Sequence, residues 1–189
     1  MNVDVIEPAQ FVKHPWRNGG GTALEILRVP PGDASFDVRI SVADIALSGP
    51  FSIYQGYDRW LLMIEGHVAL SLGSSKQSID LAAPDAAPLR FAGETHMECT
   101  LKSPSARALN VFARKGKLDL ALVVAEERTL EGPGEWAVVG IQGAVEVKSE
   151  EPKTLSGLST ARVELSAGEK VTVSATVACA LVVRLSPKK

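Results

Sequence analysis

The stretch Gly49-Pro50-Phe51-Ser52-Ile53-Tyr54-Gln55-Gly56-Tyr57-Asp58-Arg59-Trp60-Leu61-Leu62-Met63-Ile64-Glu65-Gly66-His67-Val68-Ala69-Leu70-Ser71-Leu72 decides the fold class. It opens as a Gly/Pro turn, carries an acid and an arginine side by side, and then runs as a β pattern broken once, at Glu65-Gly66. From Trp60 onward the even positions Trp60, Leu62, Ile64, Val68, Leu70 and Leu72 are apolar. This period-two alternation predicts a strand pair with all six on one face, interrupted only by Gly66.

The chain on either side keeps the same character. Val3 to Val12 reads as a first strand, and His14-Pro15-Trp16-Arg17-Asn18-Gly19-Gly20-Gly21 as a turn-rich loop. Its three glycines lead into a strand, Ala23 to Arg28, and lack the Lys-Ser/Thr and the helix that a phosphate-binding loop needs. Across Phe36 to Ile45, Val38, Ile40 and Val42 share one face and Arg39, Ser41 and Ala43 the other. Gln77 to Leu81, Leu89 to Phe91, Glu94 to Leu101 and Ala106 to Arg114 read as further strands, and no segment sustains a helical period. Leu118 to Glu127 has the length of either element, and Val123 and Val124 favour a strand.

The second half repeats the first. Ile64-Glu65-Gly66-His67-Val68-Ala69-Leu70 matches Ile141-Gln142-Gly143-Ala144-Val145-Glu146-Val147 at an offset of 77 residues. Each is followed by a Gly-Glu pair (Gly93-Glu94; Gly168-Glu169) and a closing strand (Ala108 to Ala113; Ala180 to Leu185). The expectation is an all-β chain of two small barrels on one plan, residues 1–115 and 116–189. Few polar groups stand at the repeat positions between Arg162 and Leu185, so the second half should have a filled core.

Composition narrows the partners. The 189 residues are 46% hydrophobic, and 20 Lys+Arg are offset by 22 Asp+Glu, so no basic excess is available to neutralise a phosphate backbone. Nucleic acid is therefore not an expected partner. No apolar run approaches the roughly 20 residues of a membrane helix, and the amino terminus has no signal pattern, so the expected location is cytoplasmic with no membrane partner. Cys99 and Cys179 lack CxxC spacing and read as reduced and buried.

A strand that ends in Glu-Gly and turns sharply into the next resembles the cupin jelly roll. Arg59 stands where a metal cupin carries its ligating Glu, and no His-x-His precedes it. The later cupin motif survives in part as Phe91-Ala92-Gly93-Glu94-Thr95-His96. Glu94, His96 and Glu98 alternate with apolar Met97, Cys99 and Leu101, so His96 is a weak metal candidate on a row that equally suits a solvated face.

A wider set of motifs resembles the HutD/Ves family of metal-free bicupins. It comprises Trp16-Arg17-Asn18-Gly19-Gly20-Gly21 with Glu25-Ile26, Arg39-Ile40-Ser41-Val42-Ala43, Gly49-Pro50-Phe51-Ser52 with Gly56-Tyr57-Asp58-Arg59, Glu65-Gly66, Phe91-Ala92-Gly93, and Asn110-Val111-Phe112-Ala113-Arg114. The resemblance implies two jelly-roll barrels, no catalytic residue and no cofactor. It also implies a small carboxylated ligand such as formylglutamate and a regulatory place in histidine utilisation, with some members linked to stress. Ala23, Val38 and Ala108 stand where the family usually has Thr, an aromatic residue and Asp.

The inferred pocket places Arg39, Ser41 and Arg59 against an anionic ligand, with Asn18, Glu25 and Asn110 near it and Trp16, Phe51 and Tyr54 as walls. The competing account is an internal ion-pair network, Arg39 or Arg59 with Glu25 or Asp58, that binds nothing. A cupin enzyme built on His96 and an interaction protein that forms a homodimer through an edge strand are the other classes in play.

Overall fold

The computed structural model describes residues 1–16, 21–32, 35–73, 78–83, 88–116, 123–125 and 127–185. In chain order its strands are β1 (Asn2–Ile6), β2 (Val12–Pro15), β3 (Gly21–Val29), β4 (Val38–Ile45), β5 (Gly49–Pro50), β6 (Tyr57–Glu65), β7 (His67–Leu72), β8 (Ser78–Ala82) and β9 (Leu89–Ala92). They continue as β10 (Met97–Leu101), β11 (Ala106–Arg114), β12 (Val123–Ala125), β13 (Glu127–Glu131), β14 (Gly134–Lys148), β15 (Lys153–Leu155), β16 (Thr160–Leu165) and β17 (Lys170–Arg184). Among the described residues the only helical element is a 3₁₀ turn at Pro8–Gln10. Branched residues at every second position account for this: Val38, Ile40 and Val42 on β4 are fully buried, as their alternation requires. Among the described residues no helix is long and apolar enough to cross a membrane.

The chain divides into two compact units, one of Val12–Lys115 and one of Met1–Phe11 with Gly116–Lys189. In the first, a six-stranded sheet β2-β3-β4-β11-β6-β9 and a four-stranded sheet β5-β10-β7-β8, both antiparallel, share a core. Ala43, Leu61, Met63 and Ala108 from one sheet meet Val68, Leu70, Met97 and Cys99 from the other. Burial pushes the Cys99 thiol up to about 11. In the second unit one seven-stranded sheet surrounds Leu130, Trp136, Val138, Val145, Leu155, Val163 and Val182. Among the described residues the sheets of both units are open rather than closed into barrels.

Three expectations are corrected. β6 and β7 are not a strand pair: they lie in different sheets, and Glu65-Gly66 is the corner between them. The chain turns there with Gly66 at φ +77°, where a Cβ would come within 2.3 Å of the Ser105 carbonyl oxygen. The corner reverses the phase of the alternation, so odd-numbered Leu61 and Met63 share a core with even-numbered Val68 and Leu70. Next, Val3 to Val12 is not one strand, because the 3₁₀ turn starting at Pro8 ends β1 and sends the chain into β2. Finally, β1 pairs with β16, from Asn2 opposite Glu164 to Ile6 opposite Thr160, so residues 1–11 belong with the second unit. Of the stretch 118–127, residues 123–125 and 127 lie on strands and the rest lies outside the described residues.

Candidate functional site

Strand register builds the site as rows across the inner face of the six-stranded sheet. The first row runs Phe91, Arg59, Phe112, Arg39 and Arg28, on β9, β6, β11, β4 and β3. Two residues along come Leu61, Asn110, Ser41 and Glu25, and then Met63, Ala108, Ala43, Ala23 and His14. The third row is mostly alanine. With so little side chain there, a cavity of about 490 Å³ opens over the sheet. Arg28, Arg39, Arg59, Ser41, Asn110 and Phe112 line it from the sheet, with Phe51 to Tyr54 and Trp16 around its rim. Ala23 and Ala108, two of the departures from the HutD/Ves pattern, both fall in that third row.

Arg28 reaches the cavity face through a bulge. In an unbroken strand, Glu25 and Arg28 would point to opposite sides. The register shifts between Glu25 and Leu27, and Arg28 comes to lie opposite Arg39 while Glu25 lies opposite Ser41. Glu25 then serves both arginines. Arg28 donates to it through Nε at 3.0 Å and Nη2 at 2.8 Å, and Arg39 Nε lies 2.8 Å from Glu25 Oε2. Burial of the carboxylate works to raise its pKa, but the Arg28 hydrogen bonds and the charges of Arg39, Arg28 and His14 outweigh it and hold the group below the usual carboxylate range. Arg39 also donates to the Tyr54 hydroxyl at 3.2 Å.

Arg59 is different. It is 5% exposed, and its Nε and Nη2 both donate to Asn110 Oδ1, at 2.9 and 2.7 Å. Its guanidinium carbon lies 4.6 Å from the Phe51 ring centroid, 5.1 Å from Phe112 and 5.2 Å from Phe91. Among the described residues no carboxylate pairs with it, since the neighbouring Asp58 pairs instead with Arg90 at 3.0 Å. Burial pushes its pKa down to about 10, which leaves it charged at neutral pH. The ion-pair network expected for Arg39 and Glu25 is therefore present, and that expected for Arg59 is not. Among the described residues Glu25 pairs with Arg28 and Arg39, and Arg59 is held by the neutral Asn110.

The chain matches the HutD family model over residues 8–181. This chain belongs to the HutD family. It is 31% identical to protein Ves of Citrobacter koseri over 131 residues, 68% of each chain. It is 33% identical over 111 residues to an uncharacterised 21.2 kDa protein in the hutC 3′ region of Pseudomonas putida, covering 58% of this chain and 57% of that one. Among solved structures, HutD from Pseudomonas fluorescens superposes over the whole of both chains with a TM-score of 0.85 at 24% identity. A cupin barrel protein from Leptotrichia buccalis shares the fold at a TM-score of 0.56 and 13% identity, covering 87% of this chain and 88% of that one.

In this HutD-family chain the expected site residues Arg39, Ser41, Arg59, Asn110, Trp16, Phe51 and Tyr54 all line one cavity. Glu25 stands behind it as the counter-ion of Arg28 and Arg39. Asn18 lies outside the described residues. Sequence reasoning missed Arg28, His14 and Phe112. Phe112 was available, two residues from Asn110 on the same strand face. His14 was expected in a loop but sits on β2, with its Nε2 buried and lacking a hydrogen-bond partner among the described residues. Glu94, His96 and Glu98 point to solvent, and Glu94 pairs with Lys115. No three His, Cys, Asp or Glu side chains converge among the described residues.

Proposed function

We propose that this HutD-family chain is a non-catalytic, metal-free, cytoplasmic cupin-fold protein that binds a small carboxylate, formylglutamate or a related acid, and through it regulates histidine utilisation. One observation carries the ligand class: Arg59 is a buried guanidinium without a carboxylate partner among the described residues, set in a cavity wide enough for a metabolite. A buried cation costs several kcal/mol unless an anion meets it, and a bound carboxylate supplies that anion. The pathway draws support from the Pseudomonas putida relative in the hutC 3′ region.

Thermal unfolding of the purified protein with formylglutamate, glutamate and urocanate, each at millimolar concentration, tests the reading. An acid present at one hundred times its dissociation constant adds about 2.7 kcal/mol of apparent stability. The shift should vanish in Arg59→Ala and shrink in Arg39→Ala. No shift with any of the acids would overturn the reading.

A further inference from the structure

A guanidinium has two hydrogen-bonding edges: a side-on fork formed by Nε and one Nη, and an end-on fork formed by the two Nη groups. In Arg59 the side-on fork is occupied, since Nε and Nη2 converge on the single oxygen Oδ1 of Asn110. The rings of Phe51, Phe91 and Phe112 surround the group. What remains is the end-on fork, because no described residue is a hydrogen-bond partner of Nη1. Asn110 is itself fixed: its Nδ2 donates to the Ala108 carbonyl at 3.2 Å, which turns its oxygen toward Arg59. The residue that orients the cation is thus a neutral amide. It satisfies two N–H groups and leaves the charge uncompensated.

We propose that Asn110 is a positioning residue that holds Arg59 end-on toward the cavity, so that the carboxylate of the ligand docks on its free fork as a bidentate pair. This rests on the carboxylate-binding reading and adds how the group is held. An aspartate at position 110 would accept from the same two nitrogens and bring the missing negative charge from within. The site would then be self-satisfied and closed to acids.

The decisive experiment compares the parent with Asn110→Asp and Asn110→Ala, using formylglutamate as the probe, by calorimetric titration and by thermal unfolding without ligand. Asn110→Asp should lose at least about 100-fold in formylglutamate affinity while its ligand-free midpoint stays at or above the parent's. Asn110→Ala, which strands two buried N–H groups, should lose affinity and fall by about 2–4 °C. A residue with a merely structural role would lower both readouts in both variants. If the parent binds formylglutamate and Asn110→Asp binds it equally well, the positioning role is wrong and the carboxylate reading survives. A parent that binds none of the acids overturns both.

Discussion

The two units treat the same strand positions in opposite ways. The offset that aligns Ile64 with Ile141 also sets Arg59 against Trp136, and the closing strands set Asn110 against Val182 and Phe112 against Arg184. Arg59 lies opposite Phe112 in the first unit, and Trp136 opposite Arg184 in the second. The cation and the ring have exchanged strands, and the Arg184 guanidinium carbon lies 5.2 Å from the Trp136 ring. Where the first unit buries Arg39, Ser41, Arg59 and Asn110, the second buries Leu130, Val138, Leu155 and Val182, each at 0% exposure. A related strand plan is therefore filled without a buried charge among the described residues, Ser159 and Thr160 being its buried polar side chains. The polar rows of the first unit are not a requirement of the fold, and a desolvated arginine is a cost that its architecture does not impose.

The largest effect expected from this contrast is in the filled core. Leu155→Ala should destabilise the protein by about 2–5 kcal/mol in denaturant unfolding and leave formylglutamate affinity untouched. A change in affinity would mean the two cores are not independent. Next come the corners. Gly66→Ala adds a Cβ against the Ser105 carbonyl and the Ala106 Cα as well as occupying left-handed backbone, for a cost of about 3 kcal/mol. Gly143, the repeat partner, has φ +70°, and its substitution to alanine should cost at least the conformational part, about 1–2 kcal/mol. A Gly66→Ala cost no larger than about 1–2 kcal/mol would show that the crowding at Gly66 is relieved by relaxation.

The smallest effect concerns acid. Glu25 has a lowered pKa in the folded state, so its contribution to stability is complete above the usual value of 4.5 and is lost as pH falls below it. Thermal midpoints measured from pH 6 to pH 3 should drop less steeply in Glu25→Gln than in the parent. Identical acid limbs would mean that the Glu25 pairs add nothing to stability.

Alternation made the face of Arg39 and Ser41 legible in the sequence, because β4 keeps its register throughout. It failed wherever the backbone inserts a step. The bulge at Ile26 brings Arg28 to the cavity although it is three residues from Glu25, and the Gly66 corner puts odd-numbered Leu61 and Met63 of β6 in one core with even-numbered Val68 and Leu70 of β7. Arg59 and Asn110 were recognised through motif resemblance, but their mutual bond joins residues 51 positions apart, a separation that no local pattern encodes. The pairing of β1 with β16 is of the same long-range kind.

That last pairing has a consequence for how the protein is made. Every strand of the Val12–Lys115 unit is present once residue 115 has left the ribosome, so the cavity can assemble while the remainder is still being translated. Asn2 must wait for Glu164. At about 5–20 residues per second that interval is roughly 8–30 s. During it β1 is a short strand without its neighbour, open to any nascent-chain chaperone, and only the last turns of synthesis give it a permanent place.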